Sequence, residues 1–299
     1  MKKVIEITKL KKTFGKTEAL TDVTFDVNEG EIVGFIGPNG AGKSTTIRIL
    51  LGLIKADSGT AKIFGEDVWD DAVSIHKRVA YVPGDVNLWP NLTGGQVIDL
   101  FLSMRGAKVD KKRKEELMKR FEFDPTKKCR AYSKGNRQKV ALIAAFAADA
   151  DVYLFDEPTA GLDPLQERVF QSYAREVQQR GASVLLSSHI LSEVEQLCDK
   201  VAIIRQGEIV ESGSLTDLRH LTRSQINLKT AEELPNLEEQ SFAHNVVREK
   251  DEIVFQLDSD HLNDFLNYIE PFTVLKLESA PPRLEDLFMR HYETVKGGD

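Results

Sequence analysis

Gly37-Pro-Asn-Gly-Ala-Gly-Lys-Ser-Thr45 follows the apolar run Glu31 to Ile36 and leads into a helix-forming stretch from Lys43 to Leu51. A strand, a glycine loop and a helix in that order build a phosphate cradle, because consecutive backbone N–H groups then converge at a helix N-terminus. Gly37, Gly40 and Gly42 are expected to take backbone angles that other residues avoid. Lys43 is placed to reach the terminal phosphates and the Ser44 hydroxyl to ligate Mg²⁺, so the chain reads as one that binds a nucleoside triphosphate.

At 299 residues the chain accommodates one large domain and a smaller one, since domains usually run about 100 to 200 residues. Its 40 Lys and Arg against 47 Asp and Glu give a net charge of -7, without a basic tail, which disfavours direct binding to nucleic acid. Cys129 and Cys198 are far apart and lack a C-x-x-C spacing, so neither a disulfide framework nor a zinc site is expected, and a reducing compartment fits. The longest apolar stretch, Val140 to Ala148, is far short of the roughly 18 residues of a membrane span. Glu6 and Lys9 interrupt the N-terminal segment before an apolar core forms, which argues against a signal peptide.

Strand-length apolar runs at Val4–Ile7 and Val23–Val27, with the turn-like Lys12–Lys16 between them, predict an antiparallel opening. Further strands are expected at Ile32–Ile36, Ala61–Phe64, Val79–Val82, Val152–Phe155, Ser183–Leu186 and Val201–Ile204. Several are separated by helical stretches such as Pro164–Gln179, an alternation that predicts a parallel sheet covered by helices. From Asp85 to Ala150 the helix period takes over, at Gly94–Met104, Lys111–Phe121 and Gly135–Ala148, and predicts a helical insertion. The basic run Lys111–Lys114 reads as a solvated helix face. Beyond the turn Gln206-Gly207 and a short helix near Leu215–His220, a second domain is expected over 223–299. Strands at Gln225–Lys229, Glu252–Leu257 and Phe272–Leu277, a helix at Ser259–Tyr268 and a final helix from Arg283 make it a small α+β fold.

Val152-Tyr-Leu-Phe-Asp-Glu157 is an apolar strand ending in two adjacent carboxylates, which at a strand end point in different directions and can hold different roles. Asp156 is expected beside the magnesium ion shared with Ser44, and Glu157 at the γ-phosphate, orienting or deprotonating the attacking water. His189 follows another apolar strand and falls on the same sheet edge, although a single histidine fits a structural role as well. Ser133 is placed as the N-cap of an apolar helix and Gly135 permits close backbone approach; alone, these describe a capped helix start and nothing more.

Together these motifs resemble those of the ATP-binding subunit of ABC transporters, from about Met1 to about His220, which implies an ATP-binding domain over 1–222. GPNGAGKST at 37–45 matches Walker A, with Asn39 and Thr45 in the loop; YSKGN at 132–136 the signature; VYLFDE at 152–157 Walker B; AGLD at 160–163 the D-loop; and His189 the switch histidine. The resemblance implies a P-loop NTPase fold of ABC type: a mixed sheet core, an antiparallel β-layer and a helical subdomain over about 85–150. It also implies a head-to-tail dimer in which each ATP lies between Lys43 of one copy and the Ser133 hydroxyl and Gly135 amide of the other. Asp163 would cross that interface, and Phe14 stands where the family stacks an aromatic ring on adenine, although an ordinary β-layer Phe also fits there. A separate integral membrane subunit is implied, docked near Leu88, Trp89 and Leu92, which places the chain at the cytoplasmic face of a membrane. A soluble ABC ATPase, or a nucleotide-sensing regulator uncoupled from transport, is the alternative.

The sequence departs from the family pattern in three places. Lys134 and Asn136 replace the commonest Gly and Gln of the signature, and Gly84 stands where the family has a Gln that contacts Mg²⁺ and water. Asp85 or water is expected to take over part of that role. The tail Pro281–Met289 resembles the ending of ATPases from bacterial drug and antibiotic exporters, which favours export.

Overall fold

Ile32–Ile36 forms β3, and all five of its residues are buried, as befits a strand covered by helices on both faces. In the computed structural model the described residues are 2–105, 111–215, 217, 223–249 and 252–280. They form two compact units that divide between Gly213 and Ser214.

The first unit holds a ten-stranded sheet in the order β5-β4-β1-β2-β10-β9-β3-β8-β7-β6. One half is antiparallel: β1 (Lys3–Phe14), β2 (Thr17–Asn28), β4 (Ser58–Ile63) and β5 (Glu66–Asp67). The other is parallel: β6 (Val79–Val82), β7 (Val152–Asp156), β8 (Ser183–Ser188) and β9 (Lys200–Arg205), arranged around β3. β10 (Glu208–Ser214) joins the two halves by pairing parallel to β2, with Glu208 opposite Asp22. The sheet is therefore mixed rather than wholly parallel, with an antiparallel layer at one side.

The opening turn is tighter than the expected Lys12–Lys16 segment, because β1 continues to Phe14 and only Gly15 and Lys16 separate it from β2. Gly15 supplies the positive φ of +60° that so short a turn requires. Helices α1 (Lys43–Leu50), α2 (Ala72–His76), α6 (Pro164–Gln179) and α7 (Leu191–Leu197) accompany the strands.

Between β6 and β7 stand α3 (Gly94–Met104), α4 (Lys111–Arg120) and α5 (Lys134–Ala147), the helical insertion. Thr93 and Gln96 start α3 with a reciprocal capping box. The basic run at the head of α4 is only half solvated: Lys111 and Lys112 are exposed, whereas Lys114 bonds Asp99 at 2.6 Å and Arg113 reaches Asp149 at 3.5 Å. An aromatic cluster joins the insertion to the sheet. Phe146 of α5 lies 5.6 Å from Phe155 of β7, 6.1 Å from Phe170 and 5.4 Å from Tyr173 of α6.

The second unit is a four-stranded antiparallel sheet, β12-β13-β11-β14, formed by β11 (Ser224–Thr230), β12 (Ala243–Glu249), β13 (Glu252–Leu257) and β14 (Val274–Ala280). α8 (Leu262–Ile269) packs Phe265 edge-on against Phe255 at 5.5 Å and Phe242 at 6.1 Å. β12 escapes a sequence reading because only Ala243 among its residues is buried, leaving no apolar alternation to detect. Most of the helix expected near Leu215–His220, the helix from Arg283 and the tail Pro281–Met289 lie outside the described residues.

Candidate functional site

The carboxyl ends of β3, β7 and β8 deliver the phosphate loop, the Asp156-Glu157 pair and His189 to one edge of the sheet, where open α/β sheets collect ligand-binding groups. The three glycines of the loop act differently. Gly40 and Gly42 take φ of +82° and +114°, as expected. Gly37 does not; a methyl group there would overlap the Ile204 carbonyl oxygen of β9, so its glycine serves close packing instead. Asn39 and Gly40 are exposed at the loop's tip, and Ser44 and Thr45 are partly buried in the first turn of α1.

Lys43 is 5% exposed, and its Nζ donates to the Gly37 carbonyl at 2.6 Å and the Pro38 carbonyl at 3.2 Å. The ammonium also lies 3.8 Å from Glu157 Oε1. Burial pulls the Lys43 pKa down, opposed by the charges of Glu157 and then Asp156.

Asp156 is buried, and its Oδ1 accepts a hydrogen bond from Ser187 Oγ at 2.6 Å. Glu157, partly exposed, adopts φ of +49°, a left-handed conformation that costs a non-glycine residue about 1 to 3 kcal/mol. Its N–H donates to the Ser187 carbonyl at 3.1 Å. His189 Nδ1 lies 3.2 Å from Glu157 Oε1, so Lys43 and His189 converge on one carboxylate oxygen of Glu157. Ser187 went unnoticed in the sequence because its role depends on the β7–β8 register, Asp156 opposite Ser187, which no motif encodes.

Ser133, Gly135 and Asp163 assemble elsewhere. Ser133 Oγ caps α5 by accepting from the Asn136 N–H at 3.3 Å, and Asp163 caps α6 by accepting from the Leu165 and Gln166 N–H groups, both at 3.0 Å. A methyl at Gly135 would overlap the Gly161 carbonyl, so the signature helix start and the AGLD turn touch within one copy. Among the described residues, none of these three bonds Lys43, Glu157 or His189.

Phe14 is half exposed at the end of β1, with Lys12 Nζ 5.4 Å from its ring centre. Gly84 lies against the chain at Asp156 and Glu157: a Cβ there would stand 3.1 Å from the Asp156 carbonyl oxygen and 3.7 Å from Glu157 Cβ. Asp85 is exposed and accepts from Asn87 Nδ2 at 3.3 Å; among the described residues it makes no bond to Asp156 or Glu157. Gln138 of α5, buried, instead reaches the neighbouring Pro83 carbonyl at 3.4 Å.

The ABC transporter family model matches residues 20–160. A bacitracin transport ATP-binding protein from Bacillus licheniformis is 31% identical over 303 residues, covering 97% of both chains. The chain belongs to the ABC transporter ATP-binding family. Among solved structures, the ATP-binding subunit of an ABC transporter superposes with a TM-score of 0.67 at 33% identity, covering 73% of this chain and 92% of that one. A dimeric ABC cassette in a post-hydrolysis state bound to ADP and Pi gives 0.65 at 25% identity, covering 71% and 98%. The ABC chain described here is thus an ATPase with a P-loop fold, and its similarity to the bacitracin protein extends through the second unit. No helix among the described residues is long and apolar enough to cross a membrane.

Proposed function

We propose that this chain powers an ABC exporter as one half of an ATP-sandwiched, head-to-tail homodimer docked on a separate membrane subunit. The observation that carries the reading is the convergence of Lys43 and His189 on the Glu157 carboxylate at the end of β7. In this reading residues 1–222 bind and hydrolyse ATP, and 223–299 form an accessory domain. Gly37, Asn39, Gly40, Gly42 and Thr45 cradle the phosphates, and Phe14 stacks on adenine. Lys43 exchanges the Gly37 and Pro38 carbonyls for phosphate oxygens, an exchange open to an ammonium already aimed into the loop.

Glu157 orients the attacking water and accepts its proton, and His189 bonds the γ-phosphate and steadies Glu157. A hydroxyl from Ser44 and a carboxylate from Asp156 make a hard-oxygen donor pair that suits Mg²⁺, with the Ser187 hydroxyl fixing Asp156. Bound there, Mg²⁺ would neutralise phosphate charge. Ser133 and Gly135, remote from Lys43 in their own copy, act on the ATP held by the partner, with Asp163 at the same interface. This division of labour explains why one copy leaves the signature away from the catalytic carboxylate.

For the membrane subunit, an apolar cavity of about 330 Å³ lies between β6, α3 and the alanine face of α5, lined by Tyr81, Pro83, Val86, Phe101 and Arg105. Trp89, half exposed, packs on Phe101 beside it at 6.0 Å. A cytoplasmic helix of the membrane subunit seated here would sense the loop at Gly84 and hold the chain at the cytoplasmic face of the membrane. The likeness to a bacitracin transport protein over nearly the whole chain supports a transport role, and the resemblance of the tail Pro281–Met289 to the ending of exporter ATPases favours export. Phosphate release by the purified chain tests the catalytic assignment: Glu157→Gln should lower kcat by about 10² or more, and an unchanged rate would contradict it. Trp89→Ala should lose co-purification with the membrane subunit while keeping the wild-type Tm; unaltered co-purification removes Trp89 from the interface.

A further inference from the structure

Glu193, on the first turn of α7, is 7% exposed, yet the reaction outlined above gives it no part. Its Oε2 accepts a hydrogen bond from Ser188 Oγ at 2.8 Å, and that hydroxyl oxygen in turn accepts from the Ile190 N–H at 3.0 Å. The two bonds close the turn whose middle residue is His189. Oε1 has no hydrogen-bond partner among the described residues, although the Thr159 side chain, from the loop between Glu157 and Asp163, lies near enough to favour the charge. The charges of Glu167 on α6 and of His189 act on the same carboxyl, and the carboxyl in turn acts on Cys198 at the end of α7.

A carboxyl taken out of water with one oxygen unpartnered is costly, and a purely structural role would be served better by an apolar side chain. Such local conflicts are expected where function demands them. We propose that Glu193 is a positioning residue for hydrolysis: through Ser188 it sets the turn that holds the His189 imidazole against Glu157, next to the loop that leads to Asp163. The proposal rests on the assignment of Glu157 and His189 made above.

The test is steady-state ATPase kinetics of the full-length chain with Mg²⁺ and ATP, alongside thermal melts. Glu193→Met and Ser188→Ala should each lower kcat roughly tenfold with KM for ATP within about twofold, because a misplaced catalytic group affects the transition state more than binding. The double variant should be no worse than either single one. Glu193→Gln keeps an oxygen to accept from Ser188 and should stay within about threefold of wild type. Tm should hold or rise in Glu193→Met, whereas a Glu193 that stabilised the fold would lower it on replacement. Wild-type kcat in Ser188→Ala, a variant that barely alters volume, overturns the proposal even if Glu193→Met fails to fold. Glu157→Gln in the same assay separates the two claims. If that variant still turns over, the underlying assignment fails; if it is inactive while Ser188→Ala is unimpaired, only the role of Glu193 fails.

Discussion

The backbone demands of single residues explain both the motif and its limits. Gly37→Ala places a methyl against the Ile204 carbonyl, whereas Gly40→Ala meets open space and carries only the strain of φ +82°. In urea unfolding, Gly37→Ala should cost about 2 kcal/mol or more and Gly40→Ala about 1 kcal/mol; the reverse order would show that conformational freedom governs both positions. Glu193 makes a pH prediction. Burial raises its pKa above 4.5, with Glu167 adding to the shift and Thr159, Ser188 and His189 opposing it, so the native state holds this proton more tightly than the unfolded chain. Its destabilising effect is complete above the raised folded pKa and fades as pH falls toward 4.5. Relative to Glu193→Gln, the wild type should therefore lose unfolding free energy as pH rises from 4.5 toward neutrality, and parallel stability curves would contradict this. Lys43, Asp156 and Glu157 were legible because a motif names them. Ser187 and Glu193 were not, since their partners arrive through strand register and a turn.

Among elements, the buried strands and long helices declared themselves. β3, β7 and β8 are buried along their whole length because helices cover both their faces, each with an apolar run to show it, and α6 runs from Pro164 to Gln179 as its period predicts. The strands that stayed hidden, β5, β10 and β12, have few buried residues and therefore little periodicity, and the hidden helices α2 and α7 are only five and seven residues long. α5 matters most mechanically, since it carries Ser133 and Gly135 at one end and Phe146 near the other. Phe146 is fully buried among four aromatic rings, and Phe146→Ala should destabilise the first unit by about 3 to 5 kcal/mol. A loss below about 1 kcal/mol in urea denaturation would show that the cluster is not the joint between insertion and sheet. At the head of α3, Thr93→Ala breaks the capping box and should cost about 1 kcal/mol in the same measurement.

For the whole molecule, one copy holds two separate clusters, the Glu157 carboxylate with Lys43 and His189, and the capped start of α5 beside the AGLD turn, which in the proposed dimer are two halves of a shared site. In that proposal a second copy completes both, with ATP as the shared adhesive and loss of the γ-phosphate as the release. The second unit has its own core around Phe242, Phe255 and Phe265. The most direct test is sedimentation velocity of Glu157→Gln with Mg²⁺ and ATP. The 33.6 kDa chain should shift to twice its mass when ATP is added, and the shift should vanish when Ser133→Arg is combined with it. A chain that binds ATP yet stays monomeric, with no phosphate released, would contradict the shared site.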